Sequence, residues 1–192
     1  MLFRSYGDRQ ATTDSVGKRL AGLVWQSRDQ LSPALVSLKD LPARLDRSEG
    51  RPVIVVDPAD NIGGGSAGDG TTVLRALMMN ARKGAVVITD ADAVELAHKQ
   101  GLGAAFAGDV GGKTDDLHGD PIRIEGEIAW LGEARFTNSS TYMTGFETSM
   151  GRCAVIDVNG LKVILTTLRT MPFDLGVLTS VGLDPLDRKS VV

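Results

Sequence analysis

A continuous run of β-branched residues, Val53 to Val56, stands directly before Asp57 and a glycine-rich stretch. Uninterrupted runs of this kind are typical of strands that are covered on both faces, as in a parallel sheet. A helical pattern over 71–81 and a second apolar run over 85–89 follow. Because parallel neighbours need a crossover connection, the sequence predicts a βαβ unit with the first strand over 52–57.

The second half of the chain changes to a period of two. Apolar residues alternate with charged ones from Ile122 to Trp130, and Asn159-Gly160 separates apolar runs at 154–157 and 162–166. This pattern predicts antiparallel strands joined by a hairpin. The segment 132–151 has no clear period and is predicted to be an irregular, surface-exposed connection.

Helical spacing dominates the first fifty residues. Apolar residues from Val16 to Leu31 predict an amphipathic helix, with Thr12, Thr13 or Asp14 as its N-cap, and a shorter helix is expected over 38–47. A further helix over 91–100 and a weak strand over 104–110 complete the pattern. The predicted fold class is therefore mixed α/β (α+β), in which an amphipathic helix precedes a βαβ unit with parallel strands and then antiparallel strands.

Composition excludes some classes of partner. The 192 residues carry 21 Lys+Arg against 24 Asp+Glu, a net charge of -3, so the basic field of a nucleic-acid or anionic-membrane binder is absent. No apolar run approaches the ~18 residues of a membrane span, and Met1 to Asp8 lacks the apolar core of a signal peptide. The single cysteine, Cys153, lies in an apolar run and is interpreted as a core residue. We expect a cytoplasmic protein.

The glycine-rich loop from Asp57 to Thr71 contains G-x-G-x-x-G, with Asp90 near the position of a ribose-binding acid. Nucleotide binding is nevertheless disfavoured, because five residues separate the strand from the first glycine and three carboxylates crowd the place of a pyrophosphate. A Walker loop is also disfavoured, since no lysine precedes Thr71.

Two interpretations of this loop stay open. Its backbone N–H groups and the acceptors Asp60, Asn61 and Asp69 suit a polar ligand or a cation. Alternatively, Asp60 and Asn61 bond to local backbone and Asp69 caps the helix, which makes the loop a connection only.

A second loop, Gly111 to Gly119, brings together Lys113, Thr114, Asp115, Asp116 and His118. If the sheet is parallel there, both loops emerge at the same carboxyl edge and form one site. His118 then serves as a general acid or base and Lys113 stabilises negative charge, whereas the alternative is a solvated turn. With two histidines and no second cysteine, no metal site made wholly within this chain is expected.

Three stretches resemble, in order and spacing, the C-terminal domain of the MlrC family of microcystin-degradation proteins, which are regarded as zinc metallopeptidases. The stretches read DPADNIGGGSAGDGT from Asp57, GGKTDDLHG from Gly111 and GLDP from Gly182, with Ile62 where the family usually has proline. The resemblance implies that residues 51–192 form the MlrC C-terminal-like domain, truncated at its C-terminus. It also implies that 1–50 is the tail of a missing N-terminal domain or a linker.

The resemblance further implies that the missing N-terminal domain carries the zinc ligands, that a zinc-activated water hydrolyses a peptide-like substrate, and that this chain alone binds no zinc and is inactive. The candidate catalytic residues are Asp60, Asn61, Lys113 and His118. The candidate substrate-binding residues are Gly63, Gly64, Gly65, Asp69, Thr71, Thr114 and Asp115. A rival interpretation is a non-enzymatic module that binds a small polar ligand or a partner protein through the same two loops.

Overall fold

The computed structural model describes residues 6–31, 34–50 and 52–185. The chain divides into two compact units, Met1–Ser37 and Leu38–Val192. The first unit contains helix α1 (Gln10–Gln26), none of whose residues is buried. The residue before α1 is Arg9, which makes no side-chain cap, so the predicted N-cap at Thr12, Thr13 or Asp14 is wrong: all three lie inside the helix. Because no side chain caps this end of the helix, no residue type in the sequence marks where α1 begins.

The second unit is a mixed α/β fold, as predicted. Five strands form one sheet in the order β1-β5-β4-β3-β2. Its elements in chain order are α2 (Leu41–Arg47), a 3-10 turn (Ile62–Gly64), α3 (Thr72–Met79), β1 (Gly84–Thr89), α4 (Ala91–Gln100), β2 (Ala105–Val110), β3 (Ile122–Thr137), β4 (Glu147–Val158), β5 (Leu161–Thr166) and α5 (Gly176–Thr179). No helix in the described part of the chain is long and apolar enough to cross a membrane.

The predicted strand over 52–57 is wrong. The segment has no strand structure, and its side chains Ile54 and Val56 are 72% and 76% exposed. The parallel partner of β1 is β5 instead, with Gly84 opposite Leu161 and Thr89 opposite Thr166. β-branched residues favour strands only where a neighbouring strand and a covering layer are present. Neither is supplied to this segment by the described residues.

The predicted irregular connection over 132–151 is mostly strand. β3 continues to Thr137 and β4 begins at Glu147, so only 138–146 is irregular. Register shifts between Ile128 and Trp130 and between Ala134 and Arg135 interrupt the pairing of β3 with β4. Each shift moves the following side chains to the other face, and this hides the period-two pattern from which a strand is predicted.

The hairpin at Asn159-Gly160 is confirmed. Both residues have positive φ, 54° and 90°, and they connect β4 to the adjacent antiparallel β5. This backbone is what a tight two-residue hairpin turn requires, and it explains why an asparagine and a glycine stand there. The turn marks one end of β1 and β5, the end away from Thr89 and Thr166.

The sheet has a hydrophobic cluster on each face. Side chains of α3 and α4 pack with one cluster, which includes Leu74, Val94 and Phe106. α5 packs on the other, which includes Cys153 at 0% exposure. Burial raises the pKa of the Cys153 thiol to about 11, so its interpretation as a core residue is confirmed.

A curl of the sheet brings its two edge strands together at their carboxyl ends. β2 is antiparallel to β3, so the parallel sheet on which the meeting of the loops was conditional is not present there, and β2 lies at the opposite edge from β1. The backbone N–H of Gly111, directly after β2, nevertheless donates to Oδ2 of Asp90, directly after β1, at 2.9 Å. The curl therefore joins the loops that follow the two edge strands.

Candidate functional site

The glycine-rich loop is shaped by its own side chains. The Asp60 carboxylate accepts the backbone N–H groups of Gly68 at 2.9 Å and Gly70 at 2.7 Å. Oδ1 of Asn61 accepts the N–H of Gly63 at 2.9 Å. Both side chains thus bond to local backbone, as the connection interpretation expects, and they hold the loop in one conformation. The N–H groups of Gly64 and Gly65 are likewise bonded to carbonyls of the same turn, at Asn61 and Ile62.

Asp69 connects the two loops. It is 3% exposed, and its Oδ2 accepts the N–H groups of Lys113 at 2.9 Å and Thr114 at 3.0 Å and the hydroxyl of Thr114 at 2.9 Å. The predicted helix cap is therefore wrong, because no side chain caps α3 and Asp69 turns toward the second loop. Its other oxygen, Oδ1, is buried without a hydrogen-bond partner among the described residues, as is Oγ of Ser66.

Thr71 strengthens this connection. Its N–H donates to the carbonyl of His118 at 3.1 Å, and its hydroxyl donates to the carbonyl of Asp120 at 2.8 Å. A Cβ on Gly119 would lie 2.6 Å from the Thr71 hydroxyl, so the backbone of the second loop passes directly against it. The two loops form a single structure.

Both ring nitrogens of His118 are occupied. Nδ1 lies 2.8 Å from Oδ1 of Asp115, and Nε2 lies 3.2 Å from the carbonyl oxygen of Ala59. The hydrogen bond to Asp115 is the main cause of a raised pKa of His118, and the carbonyl of Ala59 raises it further. With a raised pKa, the imidazolium donates in both directions and holds the start of the glycine-rich loop to the second loop. A role as general base would require that one of these contacts breaks.

Lys113 neutralises a buried carboxylate. Its Nζ lies 2.8 Å from Oδ2 of Asp90, whose side chain is 2% exposed, whereas the Lys113 side chain is 36% exposed. Asp90 also accepts the N–H of Ala93 at 3.0 Å, so it is the N-cap of α4. A carboxylate with these partners is not available to a ribose, which removes the main support for nucleotide binding.

All of the sequence-predicted candidates lie within the two connected loops. Asp90, which the sequence suggested only as a ribose-binding acid, and the Ala59 carbonyl are additional members of the site. The position of Asp90, directly before a predicted helix, was a signal for an N-cap. Its pairing with Lys113 was not visible, because 23 residues separate the two.

The described residues do not fit a metal-ligand set. No group of three or more His, Cys, Asp and Glu side chains is placed to hold a metal ion in the described ranges. The carboxylates of Asp60 and Asp90 bond to backbone N–H groups, and both nitrogens of His118 are engaged. Ligands for a metal at this site would have to come from outside these residues.

Three comparisons with known proteins identify relatives of this chain. The MlrC C-terminus family matches residues 55–192. Microcystinase C of Sphingomonas sp. is 33% identical over 142 residues, which cover 73% of this chain and 27% of that protein. A crystal structure from Mesorhizobium sp. BNC1, called "Putative metallopeptidase", superposes with a TM-score of 0.82 and 27% identity over 94% of this chain and 36% of that one.

The chain thus spans about a quarter of the curated relative and about a third of the solved one. The family match includes the glycine-rich loop from residue 57, the second loop at 111–119, and every strand of the sheet. With its two loops joined at the carboxyl ends of the edge strands, this chain belongs to the MlrC C-terminus family.

Proposed function

We propose that this chain is the cleft-forming C-terminal domain of a metal-dependent peptidase or amidohydrolase that resembles microcystinase C and cleaves amide bonds in a peptide-like substrate. The observation that carries the proposal is the connection of the two loops through Asp69, whose single oxygen Oδ2 accepts three hydrogen bonds from Lys113 and Thr114. Through this connection, the loops 57–71 and 111–119 form one preformed wall of the proposed site, although Asp69 and Lys113 lie more than 40 residues apart in the sequence.

The length of the relatives supports a site divided between two parts of a longer protein. Microcystinase C is covered over only 27% of its length, which leaves ample chain for a metal-binding domain upstream. Zinc is the proposed metal, with ligands from that domain, and residues 1–50 are the proposed connection to it. We place the protein in the cytoplasm, where a free buried thiol such as that of Cys153 is kept reduced.

The residues of the wall have different proposed tasks. Asp60, Asn61 and His118 hold the loops in shape, so they position other groups. Lys113 is the cation of the wall, with a side chain one-third exposed, and it is placed to stabilise negative charge that develops on a substrate carbonyl. The backbone of Gly63 to Gly65, which carries no side chains, allows a peptide to approach closely.

The proposal is tested by comparing this chain with a longer protein that includes the upstream part present in the relatives. Both are assayed for hydrolysis of a panel of short amide-blocked peptides, with zinc and after removal of metal by a chelator. We expect metal-dependent hydrolysis by the longer protein and none by the chain alone. Hydrolysis by the chain alone, or none by the metal-loaded longer protein, would contradict the proposal.

A matched pair of lysine variants tests the role of Lys113 in the longer protein. Lys113→Met removes the cation of the wall, and we expect kcat to fall about 10²-fold, the loss typical of one charge-stabilising group. Lys99→Met is the control, since Lys99 lies on α4 in an exposed pair with Glu95 at 2.7 Å. Equal activity of the two variants would show that Lys113 only neutralises Asp90.

A further inference from the structure

A concave surface adjoins the glycine-rich loop. It is a pocket of about 180 Å³ between the connection 138–146 and the segment that follows β5. Ile62, in the 3-10 turn of the glycine-rich loop, is one of its lining residues. A Cβ on Gly63 would lie 3.1 Å from the sulfur of Met171, another lining residue, so this pocket and the loop share a wall.

The pocket combines an aromatic pair with two methionines. The rings of Tyr142 and Phe173 meet edge to face, with centroids 5.3 Å apart and planes at 85°. Met143 and Met171 complete the apolar part of the lining. Thioether side chains adapt to the shape of an apolar group, and aromatic rings add rigid contact area. This part of the pocket suits an apolar or aromatic side chain of a ligand.

Arg169 provides the pocket with a single charge. It is exposed, and within the described part of the chain it makes no hydrogen bond or ion pair, unlike Lys113. The other described lining residues are neutral, so no carboxylate of the pocket competes for the guanidinium. A guanidinium presents its N–H donors in a planar fork that matches a carboxylate. The expected partner is therefore an anion supplied by the ligand.

The walls of the pocket are fixed by a buried carboxylate and an amide. Asp174, 7% exposed, accepts the backbone N–H groups of Ser139, Ser140 and Gly176, each at 2.7 Å. These bonds, that of Gly176 first, lower the pKa of Asp174 to about 2. The amide of Asn138 donates to the carbonyl of Phe146 at 2.8 Å across the base of the same connection. The connection is thus held in place before any ligand binds.

We infer that this pocket binds a peptide that carries a carboxylate next to an aromatic or large apolar side chain, with Arg169 holding the carboxylate and the Tyr142–Phe173 and methionine lining holding the side chain. Because the pocket shares a wall with the glycine-rich loop, it selects the substrates of the proposed hydrolase. The role of the pocket as a substrate subsite rests on the proposed function. Binding itself requires neither metal nor hydrolysis.

The experiment measures binding to this chain with its methionine methyl groups labelled with ¹³C. N-acetylphenylalanine is titrated as the carboxylate probe, and N-acetylphenylalanine amide as the matched neutral probe. We expect the methyl signals of Met143 and Met171 to shift while that of Met79, 81% exposed on α3, does not. The carboxylate probe should bind about three- to tenfold more tightly than the amide, the gain of one exposed charge-assisted contact.

Two arginine variants test whether Arg169 causes the preference for the carboxylate probe over the amide probe. Arg169→Gln should remove the difference between the two probes, whereas Arg135→Gln should keep it, since Arg135 lies on β3 with its side chain exposed. Equal binding of the two probes by the unaltered chain, the same preference in Arg169→Gln, or no shift of Met143 and Met171 would overturn the inference. Failure of hydrolysis in the longer protein, with this binding intact, would instead count against the proposed function alone.

Discussion

At the scale of single residues, Asp69 has the most demanding contacts. One of its oxygens accepts three hydrogen bonds from the second loop, and the other is buried without a partner among the described residues. A carboxylate in this position stabilises the fold only while those donors face it, because an unpaired buried charge is costly. Asp69 therefore links the local shape of the site to the stability of the whole second unit.

We predict that Asp69→Asn lowers the free energy of unfolding by about 2–4 kcal/mol, the range for a damaged buried polar network. The amide keeps one acceptor but loses the charge that three donors share. Urea unfolding followed by circular dichroism provides the measurement. Asp116→Asn is the matched control, since Asp116 is exposed in the same loop and should change stability by less than about 0.5 kcal/mol. Equal effects of the two variants would contradict the linking role of Asp69.

His118 makes stability depend on pH. Its pKa is raised above the ordinary value of 6.5 by Asp115 and the carbonyl of Ala59, so the folded chain holds the proton more tightly than the unfolded chain. The resulting stabilisation is fully present below about pH 6.5 and is lost as pH rises through the folded pKa.

We therefore predict that the urea midpoint of the chain exceeds that of His118→Gln at about pH 5.5, and that the difference shrinks by about pH 9. A difference that stays constant over this range would show that the ring is not protonated in its two contacts.

The residue types of the site could be predicted from the sequence, but their tasks could not. Acids and an amide beside glycines indicate either a ligand site or a self-bonded loop, and both alternatives use the same residues. The structure shows Asp60 and Asn61 bonded to their own loop, and this favours a role in holding the loop's conformation over direct contact with a ligand. The half-buried position of His98 could not be predicted either, since its bond to the carbonyl of Cys153 joins elements that are distant in the sequence.

At the scale of elements, the meeting of the two loops depends on glycines where backbone passes against backbone. Gly111 has a φ of +62°, and a Cβ there would lie 2.5 Å from the carbonyl oxygen of Asp69. Gly65 also has a positive φ, +101°, but a Cβ added there would meet no atom within 4 Å. Comparing substitutions at the two positions therefore separates the cost of backbone strain from the cost of steric collision.

We predict that Gly111→Ala destabilises the chain by about 3 kcal/mol or more, because strain and collision add, whereas Gly65→Ala costs only about 1–2 kcal/mol of strain. Thermal or urea unfolding of both variants checks the difference. A Gly65→Ala variant as unstable as Gly111→Ala would mean that strain alone accounts for both, and that the loops do not approach as closely as the structure shows.

Elements with a clear period were predicted well, and those that depend on distant partners were not. Helix α4 and strand β1 follow the predicted bounds closely, since their patterns are local. The run at 53–56 carries the composition of a buried strand but has no strand beside it in the described residues. β3 and β4 were underestimated at 132–137 and 147–151, where register shifts interrupt the alternation.

At the scale of the whole molecule, the sequence pattern predicted the mixed α/β class, and the resemblance predicted the family. The convergence of the two loops was one of two alternatives, and it was conditional on a parallel sheet. The observed cause is the curl of a sheet whose edge strand β2 is antiparallel to β3. Curl is set by packing and register across all five strands, so no local pattern reports it.

In the proposed enzyme, the two connected loops face the metal that the longer protein binds. The six residues of β1, which span about 20 Å, separate the Asn159-Gly160 hairpin from Asp90, which contacts the second loop. A paramagnetic ion near the loops should therefore affect the loops far more than the hairpin. The amide signals of the hairpin therefore serve as an internal reference for those of the loops.

The measurement is the amide spectrum of the longer protein with Mn²⁺ in place of its native metal. We expect strong broadening of the amide signals of Gly63 to Gly65, Lys113 and Thr114, while the signals of Asn159 and Gly160 stay sharp. Broadening of the hairpin to the same extent as the loops, or sharp loop signals in the Mn²⁺-loaded protein, would contradict it.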